Sequence, residues 1–264
     1  MNTWLIFGSL GVILVSILSI AIWKLKKQVD TRFFALGGVI WLGAFIFKLI
    51  VDSAVTPQLS SSATAYGSTG SLIIMGAYAG LRTGAVECGL TYLMFSKSDL
   101  RKMLPDEAVA FGIGFGSFEA FFLTVPSLVE FVTFIINPSL LNSLTPEQRQ
   151  AIEAQLNLPT WIIPATIIER VFTLFVHVFA SLLVFISVTR RKLGFFFGAF
   201  LFTGLLDALV PYFRATIDRN DPISVYASEA LVVLLGITAL AGIYWTRKKL
   251  ILYRQQKLAK TKKF

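Results

Sequence analysis

Glu87, Glu119, His177 and Asp207 stand well inside long apolar stretches of this chain. A charged side chain at a bilayer centre costs about 2.5–3.5 kcal/mol on insertion scales, so each needs a partner or a water-filled cavity. Acids and an imidazole converging on one water are the parts of a general base, with histidine orienting that water or stabilising an oxyanion. Glu169 and Arg170 would give electrostatic support, the guanidinium neutralising the acids. A second reading is structural: a buried Glu–Arg pair with histidine hydrogen bonds simply joins helices.

Spacing places these groups in one slab. At 1.5 Å of rise per residue, Glu87, Glu119 and His177 fall within about 5 Å of the midplane of their spans, and Asp207 and Glu169-Arg170 lie roughly 5–10 Å towards the outside. Arg170 and His177 share a helix face with Thr173 and Ser181. Gly112, Gly114 and Gly116 precede Glu119, and Gly112 with Gly116 makes a small-xxx-small pair that admits a neighbouring backbone. Lys48 and Asp52, four apart, are expected to pair with each other. Glu130 and Glu229 read as helix-end groups, and Cys88 as a small buried residue.

The elements that carry these residues are membrane spans. The 264 residues are 55% hydrophobic and only 15% charged, whereas soluble domains carry about 25% charged residues. Apolar runs near 3–23, 33–55, 72–95, 108–135, 161–188, 193–213 and 223–246 predict an all-α polytopic membrane protein of about seven helices, a single integral domain over 1–264. The first run reads as a retained span, not a signal peptide. One cysteine excludes an intramolecular disulfide, and one histidine excludes the H-E-x-x-H zinc motif.

Net charge is +9, and the segment from Arg247 to Lys263 alone holds eight bases and no acid. That places the basicity in a tail at 247–264 suited to a cytoplasmic leaflet and argues against a nucleic-acid partner. Bases fill alternate connections: Lys24, Lys26, Lys27 and Arg32; Lys97, Arg101 and Lys102; Arg190, Arg191 and Lys192. The intervening ones hold only Arg149, Arg214 and Arg219. This asymmetry predicts an external N-terminus and a cytoplasmic C-terminus. Thr145-Pro146-Glu147-Gln148 predicts a capped, short amphipathic helix within the connection 137–160, and the Ser/Thr/Gly-rich connection 53–71 is expected to be irregular.

Four runs resemble a known family. Glu87-Cys88-Gly89-Leu90-Thr91 matches an E-E-x-x-R motif, and Gly112 through Glu119 matches G-x-G-H-G-x-x-E. Glu169, Arg170 and His177 match E-R with a histidine seven further on, and Thr203 through Asp207 matches H-x-x-x-D. The pattern, over roughly 72–213, resembles the YhfC family of intramembrane metalloproteases, relatives of PrsW and the CAAX prenyl endopeptidases. In that family these carboxylates and histidines are expected to hold a metal or activate water for peptide hydrolysis, so the resemblance implies Glu87, Glu119, His177 and Asp207 as candidate ligands for zinc, which accepts histidine with carboxylates. This sequence departs from it: Cys88, Thr91, Phe115 and Thr203 stand where the family has glutamate, arginine and two histidines. The resemblance implies a multi-pass protein of the cell membrane that binds transmembrane peptide or protein segments in a polar midplane cavity. It is either an active metal- or glutamate-dependent peptidase or a descendant that has lost catalysis and acts as a scaffold. Proton-coupled transport is a third expectation, without the paired broken helices of inverted repeats. The expected partners are the bilayer and a transmembrane substrate or partner protein; zinc is the expected cofactor if there is one.

Overall fold

Apolar stretches offer no side chain to satisfy the backbone, so in lipid they close their hydrogen bonds internally as helices. The computed structural model describes residues 1–261, and among these there is no strand. The main helices are α1 (Ile6–Lys27), α2 (Thr31–Ala63), α3 (Gly67–Thr83), α4 (Gly89–Lys97), α5 (Pro105–Ile136), α6 (Pro146–Leu156), α7 (Ile162–Arg190), α8 (Leu193–Thr216) and α9 (Pro222–Thr261). A π-helical turn, Gly84–Cys88, joins α3 to α4.

Among the described residues, six helical runs are long and apolar enough to cross a membrane. The difference from the expected seven has a simple origin. The second run, Thr31–Lys97, is 67 residues long and doubles back at Gly67, where φ is +72°. Its two arms hold the expected spans 33–55 and 72–95, and they lie side by side, because Lys48 reaches Glu87 and Asp52 reaches Arg82. The expected irregular connection 53–71 is a correction: α2 runs on to Ala63, and α3 starts at Gly67. Hydroxyls that signal a loop in water here turn back onto the helix, as when Ser53 Oγ donates to Ile50 O (2.8 Å) and Ser61 Oγ to Gln58 O (2.9 Å).

Local chemistry fixes the remaining ends. Asp30 caps α2 by accepting from Arg32 N–H (2.9 Å). Pro105 opens α5, and Glu107 reaches back to Leu104 N–H (2.6 Å). The capping box predicted at Thr145 and Gln148 is present and starts α6. Of its two large apolar residues, Leu156 is buried and Ile152 half-buried. Asn2 ties the chain's start to the end of α6, donating from its amide N–H to Leu156 O (2.7 Å) and from its side chain to Leu158 O (2.8 Å). Helix α9 continues through the basic segment from Arg247 to Thr261; residues 262–264 of the expected tail lie outside the described residues.

Helix α7 is the axis of the bundle, with nearly every residue from Thr173 to Ser187 buried. The first half of α5, Ala108–Ser117, is buried against it. Large apolar side chains on the other helices point outward, among them Leu25, Ile73, Leu201 and Tyr244. An apolar exterior around a packed interior is the inverse of a water-soluble surface and suits hydrocarbon. The basic connections gather at one end. There Arg247 grips Asp106 through two bonds (2.6 and 3.3 Å), Trp23 Nε1 donates to Asp106 O (3.0 Å), and Arg190 donates to Lys249 O (2.9 Å).

Candidate functional site

Glycine decides how closely the helices holding the acids approach. A Cβ on Gly112 would come within 2.7 Å of Val178 Cα, and one on Gly116 within 2.9 Å of Leu174 Cδ1, so both face α7 as expected from their spacing. Gly114 faces the other way, and a side chain there would collide with the Phe34 carbonyl of α2. The three residues therefore let α5 lie between α2 and α7. Glu119 then emerges one turn after Gly116, level with the side chains of both neighbours.

The charged groups form a chain of contacts. Lys48 Nζ of α2 donates to Glu87 Oε1 at 2.5 Å. Glu87 Oε2 lies 3.9 Å from His177 Nδ1, and His177 Nε2 lies 3.0 Å from Glu119 Oε2, with its N–H off the line of that oxygen. Trp41 Nε1 donates to Glu119 Oε2 (3.0 Å), and Arg170 Nη1 stands 3.6 Å from Glu119 Oε1. Arg170 also donates to Glu169 Oε1 (2.7 Å), although the two are adjacent in sequence and about 100° apart on the helix. Glu87 and His177 are buried, at 3% and 5% exposure, so little water screens their charges.

Thus α2, the π turn, α5 and α7 bring together Glu87, His177, Glu119, Arg170 and Glu169. Asp207 on α8 stands apart from this chain: its carboxylate accepts from Thr83 Oγ1, and no ion pair joins it to the others among the described residues. The α3–α8 contact that holds it is built on Gly76, Gly80 and Gly84, whose missing side chains admit the carbonyls of Ala208, Gly204 and Phe200. That glycine stripe, spaced by four, is a sequence signal left unread.

Two members of the network were not anticipated. Lys48 pairs with Glu87 rather than with Asp52, correcting the expected local pair; Asp52 instead accepts from Arg82 and from Tyr78 OH (2.8 Å). Trp41 is seven residues before Lys48 on the same face of α2. The readable signal was that face, a lysine and an indole two turns apart in an apolar helix. Its partners became evident only once α2 was packed on α5.

Beside Glu87 and His177 lies a void of about 10 Å³, bounded also by Cys88, Thr91, Phe115 and Thr203. Such a space holds one water at most. All four positions that depart from the resembled motifs meet at this point, which ties the motifs to one location in the bundle. Cys88 Sγ is 3.8 Å from Thr203 Oγ1, and the Phe115 ring packs 5.3 Å from the imidazole.

The donor chemistry does not suit a metal. Among the described residues no three histidine, cysteine or acidic side chains gather closely enough to hold an ion. Glu87 gives one oxygen to a tethered ammonium, Glu119 is engaged by an indole and flanked by a guanidinium, and Asp207 serves Thr83. The positive charge that a metal would bring among the acids is supplied by Lys48 and Arg170.

Comparison with known proteins agrees with the motifs. The family model described as YhfC intramembrane metalloprotease matches residues 11–227, a wider stretch than the four motifs cover. No curated protein and no solved structure matches the chain. On the strength of a match across most of its length, the chain belongs to the YhfC intramembrane metalloprotease family.

Proposed function

We propose that this chain is a divergent, non-hydrolytic member of its family that serves the cell membrane as a scaffold for membrane-embedded segments of other proteins. One observation carries the reading: both candidate bases face cations fixed by the fold, Glu87 bonded to Lys48 and Glu119 beside Arg170, and the void beside Glu87 is only about 10 Å³. Glu87 Oε1 is committed to an ammonium at 2.5 Å, and a space for one water admits no peptide. Recognition of a partner then falls to the helix surfaces rather than to a midplane cavity. The bases gathered at one end of the bundle support a cytoplasmic C-terminus.

A second reading has its own support. Glu87 Oε2 is buried without a hydrogen-bond partner and faces His177 Nδ1 across 3.9 Å, next to the void. One water there would meet both groups, the arrangement of a glutamate general base with an orienting histidine. The test is incubation of the purified protein with a helical transmembrane peptide, beside the Glu87→Gln and Glu119→Gln variants. No cleavage by any of the three, with a partner protein still co-purifying with the wild type, is the expected result. A cut made by the wild type and lost in Glu87→Gln establishes hydrolysis and overturns the scaffold.

A further inference from the structure

At the basic end of the bundle, α4, the turn Asp99–Lys102, α7, α8 and α9 leave a cavity of about 930 Å³ between them. Its size is that of a site for a small organic molecule. Arg101, Lys102 and Arg191 stand on its wall, and the buried side chains of Phe185, Met103 and Leu250 form its floor. Lys102 is matched by Asp99 at 2.6 Å, a hydrogen bond that holds the Asp99 carboxyl below its ordinary range. Arg101 and Arg191 meet no carboxylate among the described residues. Two unpaired guanidiniums over an apolar floor call for a ligand that is anionic at one end and hydrocarbon at the other.

We propose that this cavity binds the headgroup and upper acyl chain of an anionic phospholipid. The guanidinium fork matches phosphate oxygens, and basic pockets between spans are a known geometry for acidic headgroups. Depth agrees: Ser96 and Thr189 on its wall each stand one residue before the end of an apolar run, at Lys97 and Arg190, where a helix is expected to leave hydrocarbon. Leu193, 56% exposed, stands at its edge where an acyl chain would continue into the bilayer. A soluble phosphate ester would use the arginines but leave the floor of Phe185 and Leu250 unmatched. The site is independent of whether the acids near the midplane do chemistry.

The experiment is lipid titration of the full chain in detergent, read by native mass spectrometry and by thermal midpoint, with dioleoyl-phosphatidylglycerol, dioleoyl-phosphatidylcholine and inorganic phosphate as probes. The phosphatidylglycerol complex should be retained and should raise the midpoint, with phosphatidylcholine at least tenfold weaker and inorganic phosphate without effect at the same concentrations. Arg101→Ala combined with Arg191→Asn should cost at least tenfold in phosphatidylglycerol affinity. Asparagine is chosen because residue 191 has φ of +52°, a conformation it tolerates. Lys26→Ala, remote from the cavity, should bind as the wild type does. Equal affinity for the two lipids, or full binding by the double variant, overturns the proposal. Displacement of the lipid by inorganic phosphate at equal concentration identifies a plain anion site and overturns it too.

Discussion

Two hollows of this bundle differ roughly a hundredfold in volume, about 10 Å³ beside Glu87 and His177 against about 930 Å³ under Arg101 and Arg191. They also differ in how charge is treated. In the cluster next to the small one, Lys48 and Arg170 each have an acid in reach; in the large one two arginines face open space. Charges in a dry interior must be matched when the chain folds, whereas those at a wet rim are free to meet a ligand later. The same residue types thus serve cohesion in one place and recognition in the other.

The largest effect that would break this contrast lies in the dry cluster. Lys48→Met should leave Glu87 buried without its partner and lower stability by about 3–5 kcal/mol, with Lys48→Met/Glu87→Gln recovering a large part of the loss. Unfolding in a fixed detergent measures it, and additive losses in the double variant would show that the pair is not coupled. Metal analysis of the same wild-type preparation should find substoichiometric zinc, and chelator should leave its thermal midpoint unchanged. Bound zinc lost in Glu87→Gln would contradict the account of Lys48 as the resident cation.

Gly114→Ala comes next. Its new methyl would press on the Phe34 carbonyl, pushing away the helix that delivers Trp41 and Lys48, and should cost about 1–3 kcal/mol. Gly89→Ala, where nothing lies within 4 Å, is the matched control and should be neutral or slightly stabilising. The smallest effect belongs to the basic end. Arg247→Ala removes a partly exposed pair with Asp106 and should cost about 1 kcal/mol or less, diminishing further with salt. A loss there equal to that of Lys48→Met would erase the distinction between the two regions.

Much of the fold was legible because lipid leaves few options. Long apolar runs had to be helices, Thr145 and Gln148 announced a cap, and Gly112 with Gly116 announced a tight helix contact. The site was legible in part. Arg170 and His177 share one stripe on α7, so their meeting with Glu119 required only that α5 pack there. Lys48 was misread because a local partner at Asp52 satisfied the rule for neighbours on a helix; the rotation of α2 that turns Lys48 to Glu87 is set by Gly37 and Gly114, contacts remote in sequence. The Ser/Thr-rich stretch 53–71 misled because the same composition that breaks helices in water is tolerated when hydroxyls return to helix carbonyls.

The fold-back at Gly67 has a consequence for biogenesis. Lys48 and Glu87 ride on opposite arms of one hairpin, as do Asp52 and Arg82, so a nascent chain carrying only this hairpin already holds a partner for each of these four intramembrane charges. The two arms can partition from the translocation channel into the bilayer together, their inner charges already paired, before α5 or α7 has been synthesised.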